Sequence, residues 1–143
     1  MVRDKLVKVQ FYDPDIGYEN LWAARISNDT YRIESVPFFI YGIALGDIVI
    51  ALPNDQGRLS YIRTAAHSRN RTLRARSDQL INNADARRRV IAGLKALGCA
   101  IELHRSRLIS INVPANAEIE PIKDYLAKNE LSWEYGCPEN LNR

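Results

Sequence analysis

Two histidines, two cysteines and a run of arginines are the side chains here whose types could do chemistry, and their spacing limits what that chemistry can be. His67 and His104 stand apart, neither four residues from a second imidazole on a helix nor beside a cysteine in a ligand pattern, which argues against a zinc site. Cys137, within Tyr135-Gly136-Cys137-Pro138, leaves a Cys–His nucleophile and base pair formally available, with either histidine as base. Packing as small hydrophobes is the stronger expectation for Cys99 and Cys137, and a disulfide between them the weaker one. Ser68 and Ser106 lack the Gly-x-Ser-x-Gly context of a nucleophile elbow. Gly42, Gly46, Gly57, Gly93 and Gly98 form neither a phosphate loop nor a dinucleotide fingerprint. The carboxylate pairs Asp13/Asp15 and Glu118/Glu120 have structural explanations, as a loop around Pro14 and as favourable charge at a helix N-terminus. No catalytic set and no cofactor is implied.

The arginines carry a different chemistry, that of gripping anions. Residues 58–107 hold 12 Lys or Arg against 3 acidic residues, whereas residues 1–57 hold 5 against 8 and residues 108–143 hold 3 against 6. The small net charge of +3 therefore hides a basic middle, suited to phosphates or to an acidic protein surface if the charges also cluster in space. Within residues 67–76, strand alternation would place Thr72, Arg74 and Arg76 on one face and Arg71, Leu73 and Ala75 on the other. Arg74 and Arg76 could then act as a bidentate anion grip.

The elements that must position these residues come in two kinds. Around residues 5–11, 21–26, 30–34, 48–52 and 58–63 the apolar residues alternate or run in short blocks between turn signals such as Asp13-Pro14-Asp15-Ile16-Gly17 and Pro53-Asn54-Asp55-Gln56-Gly57. Five short strands of this kind predict a small barrel or a strongly curled sheet over residues 1–66. From residue 67 the order changes. A strand at 71–76 is followed by a helix that Asn83 can cap, with Ala86, Val90, Leu94 and Leu97 as its apolar stripe and Gly98 at its end. Strands at 100–103 and 108–113 follow, then a helix opening on Glu118, Glu120 and Pro121 with Ile119, Ile122, Tyr125 and Leu126 inward, and a strand at 131–135. That order, β-α-β-β-α-β, is ferredoxin-like, so the predicted class is α+β, with a barrel at 1–66 and a ferredoxin-like half at 67–143 packed as one unit. Trp22, Tyr31, Phe38, Phe39 and Trp133 are expected mostly in the core.

Composition agrees with this outline. With 46% hydrophobic and 26% charged residues the chain is neither disordered nor coiled-coil. Residues 1–6 carry no apolar signal core, and residues 36–46 are broken by Pro and Gly well short of the roughly 18 apolar residues of a membrane span, so a cytoplasmic location is expected.

At Leu21-Trp22-Ala23, Tyr31-Arg32-Ile33, Val36-Pro37-Phe38-Phe39, Gly42-Ile43-Ala44-Leu45-Gly46-Asp47-Ile48-Val49 and Thr72-Leu73-Arg74, the sequence resembles the bacterial domain-of-unknown-function family 4265, with a fainter continuation at Trp133-Glu134-Tyr135. The resemblance implies no catalytic residues. Small bacterial families of this sort often look like immunity proteins, which implies a non-catalytic protein that neutralises a cognate toxin as a stoichiometric complex. Under that reading Arg69, Arg71, Arg74, Arg76, Arg88 and Arg89 are the candidate partner contacts. The alternative is a nucleic-acid-binding module that uses the same arginines on phosphates; a Cys137-based enzyme ranks last. The Pro-Phe-Phe and Gly-Asp motifs also have a structural account, in which Pro37 fixes the path of the chain, Phe38 and Phe39 fill the barrel, and Gly46 permits a turn.

Overall fold

Alternation at the N-terminal end produces β1 (Leu6–Asp13), which turns Val7, Val9 and Phe11 to one side. The Asp13 carboxylate accepts the backbone amides of Asp15 at 2.8 Å and Ile16 at 3.2 Å, tightening the turn into β2 (Gly17–Ser27). β3 (Thr30–Ile33), β4 (Ile48–Pro53) and β5 (Leu59–Ala66) continue antiparallel, and β5 closes on β1 in parallel at Gln10 and Ser60. A closed five-stranded barrel results, in chain order, with no edge strand left to protect. Val9, Phe11, Leu21, Ala23, Ile33 and Val49 fill it. Residues 5–105 and 107–138 of this computed structural model are described; expectations that touch residues 1–4, Ser106 and residues 139–143 lie outside them.

The second half forms a four-stranded antiparallel sheet of β6 (Arg71–Arg76), β7 (Ala100–His104), β8 (Leu108–Val113) and β9 (Ser132–Cys137), in the order β7-β8-β6-β9. Between β6 and β7 lie α1 (Asp78–Ile81) and α2 (Ala84–Ala96), and between β8 and β9 lies α3 (Glu120–Lys128). The expected α+β class and the ferredoxin-like order are both present. Leu73, Ile109, Ile111, Leu94, Ile122 and Leu126 form the core between sheet and helices.

The caps are the expected ones, with the Asn83 side chain accepting the Ala86 amide at 3.0 Å and Pro121 in the first turn of α3. Three details of the helices and of residues 36–43 differ from the sequence reading. The single-turn helix α1 was not visible because four residues show no periodicity. Leu97 caps α2 and is exposed, ending the stripe at Leu94. Phe38 and Phe39 do not fill the barrel: they pack on His104 at centroid distances of 5.1 and 5.2 Å, against the sheet.

The two long helices meet where Gly93 of α2 faces Tyr125 of α3, whose hydroxyl donates to the carbonyls of Arg89 and Val90 at 3.3 Å. A Cβ at Gly93 would sit 1.9 Å from that hydroxyl oxygen. An exposed helical Gly→Ala ordinarily stabilises by up to about 1 kcal/mol. Here Gly93→Ala is expected to destabilise by about 1–3 kcal/mol, read as a lower urea midpoint at unchanged slope.

Candidate functional site

Every strand of the second sheet contributes one polar residue to a single row. Strand register aligns Glu134 with Arg74, Arg74 with Ser110, and Ser110 with Glu102, so the row runs from β9 across β6 and β8 to β7 on the face away from the helices. A bare polar face would be solvated. Instead it is covered by residues 36–43, the stretch between β3 and β4 that leaves the barrel and returns to it.

That stretch has no ladder of its own, so its backbone groups need other partners. From the barrel, Glu19 points inward in phase with Leu21 and Ala23 and accepts the amides of Phe38 at 2.8 Å, Phe39 at 3.1 Å and Ile40 at 2.8 Å. From the sheet, the Arg74 guanidinium donates to the carbonyls of Pro37 at 3.4 Å and Phe39 at 3.0 Å, and also to that of Ile40. Ser110 Oγ donates to the Pro37 carbonyl at 2.5 Å, and the Val36 amide donates to Glu102. The Tyr41 hydroxyl donates to Glu134 at 2.8 Å, and the Gly42 amide to the Gly136 carbonyl at 2.8 Å. Further on, Asp47 accepts Ala44 N at 3.0 Å and Ser68 N at 2.8 Å, fixing the return to the barrel.

The titratable groups register this burial. Desolvation draws the Arg74 guanidinium below its ordinary value, opposed by the charges of Glu19 and Glu134. Burial raises Glu102, the Val36 amide working against it. Tyr41 is raised by its hydrogen bond to Glu134 and then by burial. Cys99 is pushed up to about 11 by burial alone, which leaves it a thiol at neutral pH. Cys137 is buried in β9. Among the described residues no group of His, Cys, Asp and Glu is arranged to hold a metal ion.

Of the six arginines singled out in the sequence, two are internal. Arg74 is only 3% exposed and is spent on the carbonyls of residues 37–40, so it cannot share an anion with Arg76. Arg71 is half-buried and donates to the carbonyls of Pro114 and Ala117, holding the loop before α3. Arg69, Arg76, Arg88 and Arg89 are exposed. Arg69 and Arg76 flank the two ends of β6, roughly 20 Å apart at strand rise. Arg88 and Arg89 lie on α2, with Arg88 paired to Asp85. With Arg71 and Arg74 turned to backbone carbonyls, the basic run in sequence does not reach the surface whole.

The barrel carries a surface that the charge count passed over. On its outer face the strand register sets Trp22 beside Lys8, Asn20 beside Gln10, and Tyr18 beside Tyr12. Lys8 Nζ sits 5.0 Å from the Trp22 ring centre, and the Tyr12 and Tyr18 rings are 4.8 Å apart. Tyr12 and Tyr18 are about two-thirds exposed, and Trp22, expected in the core, is nearly half exposed because it falls on the outward phase of β2. Lys8, Gln10, Asn20 and Arg58 line a groove of about 460 Å³ between them, and no carboxylate lines it among the described residues. The signal was in the sequence: Tyr12, Tyr18 and Trp22 fall on the polar phase of their strands.

The family model described as Domain of unknown function (DUF4265) matches residues 19–135, and the chain belongs to that family. No curated protein matches the chain. Among solved structures it is similar to a hypothetical protein from Neisseria gonorrhoeae, with a TM-score of 0.71 and 20% identity over 96% of each chain; this is a likeness of fold. No helix among the described residues is long and apolar enough to cross a membrane.

Two measurements check the clamp on residues 36–40. Arg74→Met, which leaves the carbonyls of Phe39 and Ile40 without their donor and that of Pro37 with Ser110 alone, is expected to cost about 3–5 kcal/mol in chemical denaturation, with Arg74→Lys intermediate because an ammonium cannot reproduce the fork. For Glu102 the raised folded value means that the folded state keeps a proton the unfolded chain has already lost. Stability therefore falls as pH rises from the ordinary glutamate range through Glu102's own titration. Glu102→Gln is expected to flatten that fall in a series of denaturation curves across mildly acidic pH.

Proposed function

We propose that this family member is a non-catalytic binding protein that holds a protein partner in a stoichiometric complex, and that the partner is a bacterial toxin neutralised in the cytoplasm. The observation that carries the reading is the outer face of the barrel, where Tyr12, Tyr18 and Trp22 stand exposed, Lys8 lies over Trp22, and Arg58 lines a groove with Lys8. Tyr, Trp and Arg are the residues that dominate binding energy at protein interfaces, because they present large rigid area at low entropic cost. Lys8 and Arg58 give that face a positive sign, which suits an acidic partner. Arg69, Arg76, Arg88 and Arg89 remain available at the surface to steer encounter. A standard interface of about 1,600 Å² in total would extend well beyond the aromatic cluster. The toxin assignment follows the likeness of such small bacterial families to immunity proteins, and occlusion of a toxin needs no chemistry from the inhibitor.

A second reading rests on the same face of the barrel. A tryptophan and two tyrosines beside two cations could stack bases and bind phosphates of a single strand.

The two readings separate in one experiment. The tagged protein is captured with the product of the neighbouring gene, and the complex is sized and titrated against salt. Trp22→Ala is expected to weaken a protein complex by about 30-fold or more, mostly through the off-rate, whereas Arg88→Ala mainly slows association. Retention of full affinity in the Trp22 and Tyr18 variants would contradict the assigned face. Nuclease-sensitive material that dissociates steeply with salt would replace the protein reading by the nucleic-acid one.

A further inference from the structure

Where residues 40–43 cross from the barrel to the sheet, a cleft of about 360 Å³ opens at the barrel end. Its size falls within the ordinary range of small-molecule sites, and barrel mouths are among their usual positions. Four of its walls are aromatic rings: Phe11 and Tyr12 from β1, Tyr61 from β5, and Tyr41 from the crossing stretch. Phe11 and Tyr61 are stacked at 4.6 Å, so the Tyr61 ring is held by the barrel core. Asp13 sets a carboxylate at the rim, and the lining described contains neither Lys nor Arg. His67 is the remaining ionisable wall, with the buried Asp47 carboxylate 3.9 Å behind it.

What the hydroxyls are doing narrows the ligand. Tyr61 and Thr64 share a hydrogen bond of 2.9 Å, and the Tyr41 hydroxyl is committed to Glu134. Hydroxyls already bonded within the protein cannot repay a polar ligand for the hydrogen bonds it leaves in water, which puts the weight on the rings and on the Asp13 carboxylate beside them. A cation that asks for no hydrogen bonds loses least. One wall ring already serves a cation: the buried Arg74 guanidinium lies 4.8 Å from the centre of Tyr41. Aromatic faces supplemented by a carboxylate are the chemistry that holds quaternary ammonium groups.

We propose that this cleft binds a quaternary ammonium group through the ring faces of Tyr12, Tyr41 and Tyr61, with Asp13 supplying the opposite charge. The group could arrive free or as the methylated lysine side chain of another protein, and both present the same chemistry to the rings. The site shares Tyr12 with the partner face, but Tyr18, Trp22 and Lys8 do not line it, so variants at Trp22 test that face without touching the cleft.

The test is a titration of the isotope-labelled full chain followed by amide chemical shifts, with three probes: choline, its uncharged isostere 3,3-dimethylbutan-1-ol, and N-acetyl trimethyllysine amide. Choline is expected to saturate shifts at Tyr41, Gly42 and Tyr61 in the millimolar range, with the isostere at least about fivefold weaker. Binding of the lysine derivative equal to that of choline indicates recognition of the ammonium group alone, and tighter binding indicates a side-chain source. Asp13→Asn keeps an oxygen for the turn amides while removing the charge, and is expected to weaken choline without unfolding the barrel. Tyr61→Leu is expected to weaken it further, amide dispersion showing that the fold survives. The proposal is overturned if choline gives no shifts at concentrations up to about 100 mM, if the isostere binds as well, if Asp13→Asn changes nothing, or if the shifts map outside the cleft.

Discussion

A short stretch of backbone without secondary structure lies between an anion and a cation, and the relation of the two halves of the protein depends on how that stretch is satisfied. Glu19 from the barrel takes three of its amides, and Arg74 from the sheet takes three of its carbonyls. Burying a guanidinium costs several kcal/mol, and it is tolerated only where hydrogen bonds and opposite charge compensate it. Both are present here, since Arg74 meets backbone acceptors on one side and the fields of Glu19 and Glu134 on the other. The arrangement leaves no room beside it: a Cβ at Gly136 would lie 2.8–2.9 Å from atoms of the Arg74 guanidinium. Sequence therefore acts here through a few residues drawn from five strands, each supplying what residues 36–43 cannot supply for themselves.

This clamp also decides where the protein can meet other molecules. In a sheet of this order, the face away from the helices is a common place to bind RNA through exposed aromatics. Residues 36–43 close it, and Phe38 and Phe39 pack on His104 there. Exposed aromatic surface is found instead on the barrel, whose closed topology lets its outer face carry Tyr12, Tyr18 and Trp22 without an unpaired strand edge beside them. The crossing stretch has a second consequence at the barrel mouth, where Tyr41 is held by Glu134 and Arg74 on one side and forms a wall of the cleft on the other.

The local periodicities made the architecture legible. Period two over short segments identified the strands of the barrel, and the switch to a helical period after β6 marked the second half, because each pattern reports which side of an element is buried. The site was less legible, for a related reason. Counting charges along the chain treats every arginine as solvated, yet Arg74 and Arg71 lie next to backbone carbonyls brought in from distant segments. Alternation put Arg74 on the face opposite Leu73 correctly, but could not say that residues 36–43 would cover that face. Glu19 was the available clue. A carboxylate in phase with Leu21 and Ala23 on the inward side of a strand must find donors, and only a tertiary arrangement could reveal that these are the amides of Phe38, Phe39 and Ile40.

If the clamp joins barrel and sheet, the amides it holds should open only when the whole molecule does. Native-state hydrogen exchange at residue resolution measures this directly. The account predicts that the amides of Phe38, Phe39 and Ile40 exchange with the same opening free energy and denaturant dependence as Val9 in the barrel and Leu73 and Ile111 in the sheet. Fast exchange of those three amides in a molecule whose two cores stay protected, or separate unfolding of barrel and sheet, would contradict it.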